Sequence, residues 1–140
     1  MAETTTPAAR AVIGRHGLES HPEGGWYRRV HTTAEHVDGR PVETAILYLL
    51  DAGGAGLWHR IDATEIWSHA DGGPMEVRIS PDGLVVASHL LDHSTEPIVV
   101  PAGAWQAARA PSGWSLVRCT VRPGFTFDGF ELAPRGWEPG

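Results

Sequence analysis

Turn-forming residues interrupt this chain at short, regular intervals. Their spacing limits the length of the helices and strands that the chain can form. Glycine (17) and proline (11) are frequent among its 140 residues. Between the turns lie short runs rich in β-branched and aromatic residues, which are typical of strands. We predict about ten strands, at residues 26–33, 44–51, 56–61, 64–70, 74–80, 84–91, 97–100, 105–110, 115–122 and 125–132. Because strands recur about every 8–12 residues, we expect an all-β antiparallel sandwich or barrel.

Local signals place one hairpin and one helix. The Asp82-Gly83 pair lies between two apolar runs and is the strongest hairpin signal in the sequence. Residues 1–6 read as a polar tail. Pro7 suits the first turn of a short helix that continues to about His16 and is stopped by the glycine that follows. Little other helix is expected.

Composition and charge exclude several classes of function. The net charge is −6 and no basic run is longer than two residues, so we expect no nucleic-acid partner. The eleven basic residues are all arginine, which excludes a lysine Schiff base. A chain of 140 residues fits one domain. No stretch approaches the ~18–20 apolar residues of a membrane span, and no signal peptide is evident, so we expect no membrane partner.

Cys119 is the only cysteine, so no intramolecular disulfide can form. It lies in an apolar run, where a buried structural thiol is expected rather than a nucleophile. Both features fit a reducing compartment, and we predict a cytoplasmic protein.

A histidine and a carboxylate are candidates for chemistry because strand periodicity can bring them together. Alternate residues of a strand share one face, so Glu65, Trp67 and His69 point the same way. If that face and the face of His59 both point into a barrel, His59 and Glu65 converge. Gln106, on a strand that follows a Pro-x-Gly turn, is the third polar candidate. Such a set suits either a divalent-metal site or an acid–base pair.

The same three residues also fit a purely structural arrangement. His59 would then be a hydrogen-bonded core histidine, and Glu65 and Gln106 would lie on solvated strand faces. The spacing alone leaves the functional and the structural interpretation open.

Two spaced motifs resemble those of the cupin superfamily. They are Gly54-x4-His59-x-Ile61-x3-Glu65-x6-Gly72 and Pro101-x-Gly103-x2-Gln106. The chain is similar to one subgroup in particular, known as DUF985 or cupin-5, through five segments in the right order: 21–27, 58–60, 65–67, 100–106 and 119–127. The resemblance implies a cupin jelly-roll β-barrel or sandwich with a pocket in the barrel mouth.

The resemblance also implies domain boundaries and an assembly. The cupin domain would cover residues 11–133, between a polar N-terminal tail of residues 1–10 and a C-terminal tail of residues 134–140. The family commonly forms homodimers. A jelly roll leaves edge strands to be covered, and Trp26 and Trp137 suggest exposed aromatic surface, so we predict a homodimer.

Two departures from the cupin motifs bear on a metal cofactor. Ile61 and Gln106 stand where metal-dependent cupins carry histidine ligands. A site made of His59, Glu65 and Gln106 would hold iron, manganese, nickel or zinc only weakly, because an amide is a poor ligand compared with imidazole. We therefore expect either no cofactor or a weakly bound divalent transition metal.

Six further residues are candidate substrate contacts. Trp67 would give the pocket an aromatic wall, His69 would complete the polar set and Tyr48 would bring a phenol inside. Arg28 is suited to pair with an anionic substrate. The remaining two lie in the subgroup segment before the first long strand, at the expected rim of the pocket: His21 and Glu23.

Three functions remain open at this point. The first is a small cupin enzyme that moves a proton within a small organic metabolite, as an isomerase, epimerase, cyclase or lyase, through His59, Glu65 and Gln106. The second is a metal-dependent cupin, such as a dioxygenase or decarboxylase, with His59 and Glu65 as ligands. The third is a barrel that binds a small molecule without turnover.

Overall fold

A computed structural model describes residues 5–140, so residues 1–4 of the predicted tail lie outside the described residues. One α-helix, α1 (Pro7–His16), comes first, as predicted. Thirteen strands follow in the described residues: β1 (Glu19–Ser20), β2 (Trp26–Thr32), β3 (His36–Val37), β4 (Arg40–Pro41), β5 (Thr44–Leu50), β6 (His59–Ile61), β7 (Thr64–Gly72), β8 (Met75–Ser80), β9 (Ala87–Leu91), β10 (Ile98–Val100), β11 (Trp105–Arg109), β12 (Ser115–Arg122) and β13 (Phe130–Leu132).

The strands form two facing antiparallel sheets, which confirms the all-β jelly-roll prediction. The larger sheet has the order β1-β2-β5-β12-β7-β10 and the smaller one β13-β6-β11-β8-β9, while β3 and β4 form a separate hairpin. Their apolar faces enclose the main core, whose largest side chains are Tyr48, Trp67, Met75 and Leu91. Among residues 5–140, no helix has the length and apolar character needed to cross a membrane.

Helix α1 covers the outer face of the larger sheet. Pro7 occupies its first turn, and the hydroxyl of Thr6 accepts the Ala9 amide at 3.2 Å. Thr6 also donates to the carboxylate of Asp51, through its amide at 2.7 Å and its hydroxyl at 2.8 Å. Ala9 and Val12 then pack in a cluster with sheet residues. These contacts hold the segment that leads into β1 and the cavity.

The strand prediction was wrong around residues 84–91, where the strand begins only at Ala87. The carboxylate of Asp82 accepts the amides of Leu84 at 2.8 Å and Val85 at 3.0 Å. These bonds wind the chain into a loop instead of an extended strand. β8 and β9 still form the predicted hairpin, with a longer connection.

The prediction was also wrong at residues 125–132, where a 3₁₀ turn (Phe127–Gly129) replaces most of the strand. The hydroxyl of Thr126 accepts the Gly129 amide at 3.2 Å and caps this turn. The sequence reading also missed the three two-residue strands β1, β3 and β4, which are too short to show periodicity.

Gly25 lets the chain pass close to β5, and we expect Gly25→Ala to destabilise the fold. Gly25 has a φ of +79°, and an added Cβ would lie 2.6 Å from the Leu49 carbonyl oxygen and 3.0 Å from the Tyr48 hydroxyl. Gly39 has the same φ of +79° but no atom within 4 Å of such a Cβ. Gly39→Ala therefore reports the backbone strain alone, about 1–3 kcal/mol.

The clash should lower the free energy of unfolding of Gly25→Ala by a further ~1–3 kcal/mol. Chemical denaturation of both variants measures the difference. Equal losses would show that the contacts of Gly25 do not constrain the segment.

Candidate active site

A cavity of about 310 Å³ opens between the two sheets at one end of the barrel. Most of its wall area is apolar, although many of its lining residues carry polar groups, and such a concave wall is typical of a small-molecule site. The lining residues are Glu19, His21, Glu23, Tyr27, Arg29, Thr44, Ile46, Tyr48, His59, Ile61, Glu65, Cys119, Val121, Phe125, Phe127 and Phe130.

Sheet register explains why these side chains meet. Ile46 of β5 pairs with Cys119 of β12, and Val121 of β12 pairs with Glu65 of β7. Paired residues present their side chains on the same face of a sheet, so alternate positions of adjacent strands build one wall. β6 of the smaller sheet supplies the opposite wall with His59 and Ile61.

A buried ion pair joins His59 to Glu23. The Nδ1 atom of His59 lies 2.9 Å from Oε2 of Glu23 and 3.0 Å from the carbonyl oxygen of Leu57. Both partners are acceptors, so Nδ1 carries a proton. Nε2 is therefore the ring nitrogen left for a ligand.

The ion pair shifts the pKa values of both partners. Burial has the largest single effect and lowers the pKa of His59, but the charge and hydrogen bond of Glu23, together with the Glu65 charge, raise the pKa of His59 to about 9. Burial would likewise raise the pKa of Glu23, yet the charge and hydrogen bond of His59 hold it below the ordinary value. At neutral pH the pair is therefore an imidazolium beside a carboxylate.

Glu23 is held in place by its own loop. Its amide donates to Nδ1 of His21 at 3.1 Å, and the Tyr48 hydroxyl donates to the carbonyl oxygen of Gly24 at 2.7 Å. Burial, followed by the nearby Glu23 carboxylate, raises the pKa of Tyr48 well above its ordinary value. The phenol therefore stays protonated and keeps its hydrogen bond.

Glu65 is supported from behind by a buried amide. The Trp67 indole N–H donates to Oε1 of Gln106 at 2.8 Å, and Nε2 of Gln106 donates to Oε1 of Glu65 at 2.8 Å. An indole N–H can only donate, so the amide oxygen faces Trp67 and the NH₂ group faces Glu65. Gln106 is fully buried and does not line the cavity.

Glu65 titrates near neutrality. Burial raises the pKa of Glu65 to about 7, against the attraction of the His59 charge. Burial also raises the pKa of the adjacent Cys119 thiol well above its ordinary value, so this side chain stays neutral. The cavity thus holds a carboxyl group with a pKa of about 7 beside an imidazolium with a pKa of about 9.

The structure gathers some of the predicted site residues around the cavity and leaves others outside it. His59, Glu65, Tyr48, His21 and Glu23 all line the wall. The remaining four lie elsewhere.

Trp67 and Gln106 lie behind Glu65 in the core. His69 interacts through Nε2 with the Gly73 carbonyl oxygen at 3.0 Å, and Arg28 donates to the His16 carbonyl oxygen at 3.2 Å on the helix-covered face. Neither side chain reaches the cavity.

Sequence reasoning missed several wall residues. Arg29, not Arg28, faces the cavity, together with Tyr27 two positions earlier. Strand alternation places Arg29 on the same face as Tyr27, but the sequence alone does not say which face of β2 points inward. Phe127 and Phe130 gave no such signal, because the chain there forms a turn that breaks the period of two.

The residues present do not form a complete set of ligands for the metal of metal-dependent cupins. Nδ1 of His59 is engaged with Glu23, the Gln106 oxygen accepts from Trp67, and Ile61 has no donor atom. Of the four cupin motif positions, two keep a free donor, Nε2 of His59 and the Glu65 carboxylate, whereas zinc sites use at least three protein ligands. Within residues 5–140, no group of three or more His, Cys, Asp or Glu is arranged to hold a metal ion.

Comparisons with known proteins agree with this architecture. The family model described as "Cupin superfamily (DUF985)" matches residues 10–133. A comparison with curated proteins gave no significant match.

Solved structures give further matches. A protein from Shewanella oneidensis is 32% identical, with a TM-score of 0.83 over 89% of this chain and 84% of its own. A hypothetical protein from Leishmania major is 27% identical, with a TM-score of 0.83 over 96% of this chain and 90% of its own. Oxalate decarboxylase from Bacillus subtilis is 16% identical, with a TM-score of 0.66 over 81% of this chain and 29% of its own, and shares the fold alone.

Proposed function

The chain belongs to the DUF985 family of the cupin superfamily, and we propose that it is a small enzyme that moves a proton within a small organic metabolite bound in the barrel. The reaction class is isomerisation, epimerisation, cyclisation or elimination. The observation that carries this proposal is that one cavity holds two groups of different protonation state between about pH 7 and pH 9, an ionised carboxylate and a protonated imidazole. Glu65 has a pKa of about 7 and His59 one of about 9.

The two groups suit the two halves of a proton transfer next to a carbonyl. The Glu65 carboxylate takes a proton from the carbon, and the C–H electron pair moves into a carbon–carbon double bond as the carbonyl oxygen becomes an enolate. Nε2–H of His59 donates to that oxygen and stabilises its charge. Glu65 then returns the proton to a different carbon on the same face, which completes an isomerisation. Epimerisation would need a second acid, or rotation of the enolate, to protonate the opposite face.

The neighbouring residues position these two groups. Glu23 keeps His59 protonated and fixes the orientation of its ring, as a carboxylate does in other histidine-based sites. Gln106 directs a hydrogen bond at Glu65 and favours its ionised form. Gln106 and Trp67 are therefore assigned as positioning residues.

A metal-dependent reaction is the second candidate function. It is motivated by the fold that the chain shares with oxalate decarboxylase. His59 and Glu65 would have to recruit water or substrate to complete the metal's coordination, since Gln106 is engaged with Trp67. A barrel that only binds its ligand is the third.

An exchange experiment in deuterium oxide separates the three candidates. Small carbonyl acids such as 2-oxobutanoate are incubated with purified protein, and proton NMR follows loss of the hydrogen next to the carbonyl. We expect exchange that survives a chelator, with far less than one metal ion per chain by elemental analysis, because the donor set is incomplete.

Exchange that chelation abolishes, and that one of iron, manganese, nickel or zinc restores, would establish the metal-dependent function instead. Binding without exchange across the set of acids would leave the non-catalytic barrel.

We also propose that the protein acts as a homodimer in the cytoplasm on a small-molecule substrate.

A further inference from the structure

The cavity mouth carries one cationic side chain that no part of the described protein neutralises. Arg29 is the only arginine among the lining residues, and the sequence has no lysine. Five other arginines make ion pairs: Arg40, Arg60, Arg78, Arg109 and Arg122. Within residues 5–140, no carboxylate lies within ion-pair distance of Arg29.

Arg29 and Glu65 lie three strands apart in the larger sheet. Arg29 of β2 pairs with Ile46 of β5, which pairs with Cys119 of β12, which pairs with Trp67 of β7. Three strand spacings, about 14 Å along the sheet, therefore separate β2 from β7 and Glu65. A ligand can bind Arg29 with one end and place its other end at Glu65.

The cavity that Arg29 lines also has an aromatic wall. Tyr27, Phe125, Phe127 and Phe130 all line the cavity. The ring centroid of Phe125 lies 4.9 Å from that of Phe127 and 5.8 Å from that of Phe130. Phe127 is 57% exposed, so part of its ring is accessible to a ligand. These rings suit an apolar or planar molecular body.

Charge selects the kind of anion. A guanidinium binds a carboxylate through two parallel hydrogen bonds. A phosphate dianion would need further donors at the mouth and would be repelled more strongly by Glu19, Glu23 and Glu65, which all line the same cavity. A singly charged carboxylate fits better.

We propose that the substrate is a small organic carboxylate whose carboxylate group binds Arg29 while its apolar body lies against the phenylalanines at the mouth. This inference rests on the proposed function for the identity of the reacting end. The anion site itself is testable without turnover.

Three non-reacting probes share one apolar body and differ in their head group: 3-phenylpropanoate, 3-phenylpropanamide and 2-phenylethyl phosphate. Binding to the full chain is measured by NMR titration. We expect the acid to bind about tenfold more tightly than the amide, because an exposed charge-assisted pair contributes about one factor of ten. Added salt should weaken only the two charged probes.

Arg29→Gln should reduce the affinity for the acid about tenfold, to the level of the amide. Arg118→Gln is the matched control, because Arg118 is exposed on the outer face of β12 and should leave binding unchanged. Glu19→Gln should strengthen binding of the acid, since it removes a negative charge from the cavity wall.

Several results would overturn the proposal. They are equal affinity for the acid and the amide, no effect of Arg29→Gln, no binding of the acid at millimolar concentration, and tighter binding of the phosphate, which would identify a phosphate ester instead. Because the probes do not react, their binding is measured independently of turnover. Arg29-dependent binding of the probes, with no exchange of the carbonyl acids in deuterium oxide, would refute the proposed function and leave this inference standing.

Discussion

Replacing Glu65 by glutamine is expected to reduce the rate of proton exchange by about 10²–10⁴-fold, the contribution of one positioned acid–base group. Glutamine keeps the size of the side chain and can still accept the hydrogen bond from Gln106. It cannot take a proton. The fold should therefore persist, which circular dichroism and the melting temperature check, while exchange is lost.

Glu76→Gln is the matched control for this variant. Glu76 lies on β8, and its carboxylate pairs with Arg109 at 3.2 Å, outside the cavity wall. The same chemical change there should leave the exchange rate unaltered. If Glu65→Gln exchanges as fast as the control, the proton passes through another group and our assignment of the base is wrong.

The pH dependence of the wild-type protein follows from the same two groups. The base is active when Glu65 is ionised, above about pH 7, and the acid is active when His59 is protonated, below about pH 9. The exchange rate should therefore rise through the first value and fall through the second. In Glu65→Gln the rise near pH 7 should disappear.

Strand alternation predicted that His59 and Glu65 face the same cavity because it describes regular strands well. His59 and Glu65 lie on regular strands whose inward faces follow a period of two, and both reach the cavity. Trp67 and Gln106 follow the same rule, but the rule gives the face of a side chain and not its depth. Trp67 and Gln106 point inward but lie behind Glu65, where they are joined by a hydrogen bond.

The role of Glu23 depends on contacts that local sequence rules do not describe. Glu23 lies in a loop, and its partner His59 is on a strand of the other sheet. The close passage of Gly25 along β5, together with the hydrogen bond from Tyr48 to Gly24, holds the loop against the barrel. Arg28 and Arg29 show a different limit, because either residue can face inward until the register of β2 is known.

Glu23→Gln is expected to change the protonation state of the site. Among the influences on His59, burial is the largest and lowers its pKa, and Glu23 is the strongest that raises it. Without that carboxylate, the pKa of His59 should fall from about 9 to its ordinary value of 6.5 or lower. The imidazole is then largely neutral at pH 7, so proton exchange loses its acid as well.

NMR titration of ¹³C-labelled histidine measures this shift, with Glu43→Gln as the control. Glu43 forms a second His–Glu pair, with His31 at 3.0 Å, nearer the surface and outside the cavity wall. Its removal should leave the His59 titration unchanged. If His59 still titrates near 9 in Glu23→Gln, its positive charge is held by Glu65 instead. Glu65 would then be the partner of the His59 charge, and it could not serve as the base while it forms that ion pair.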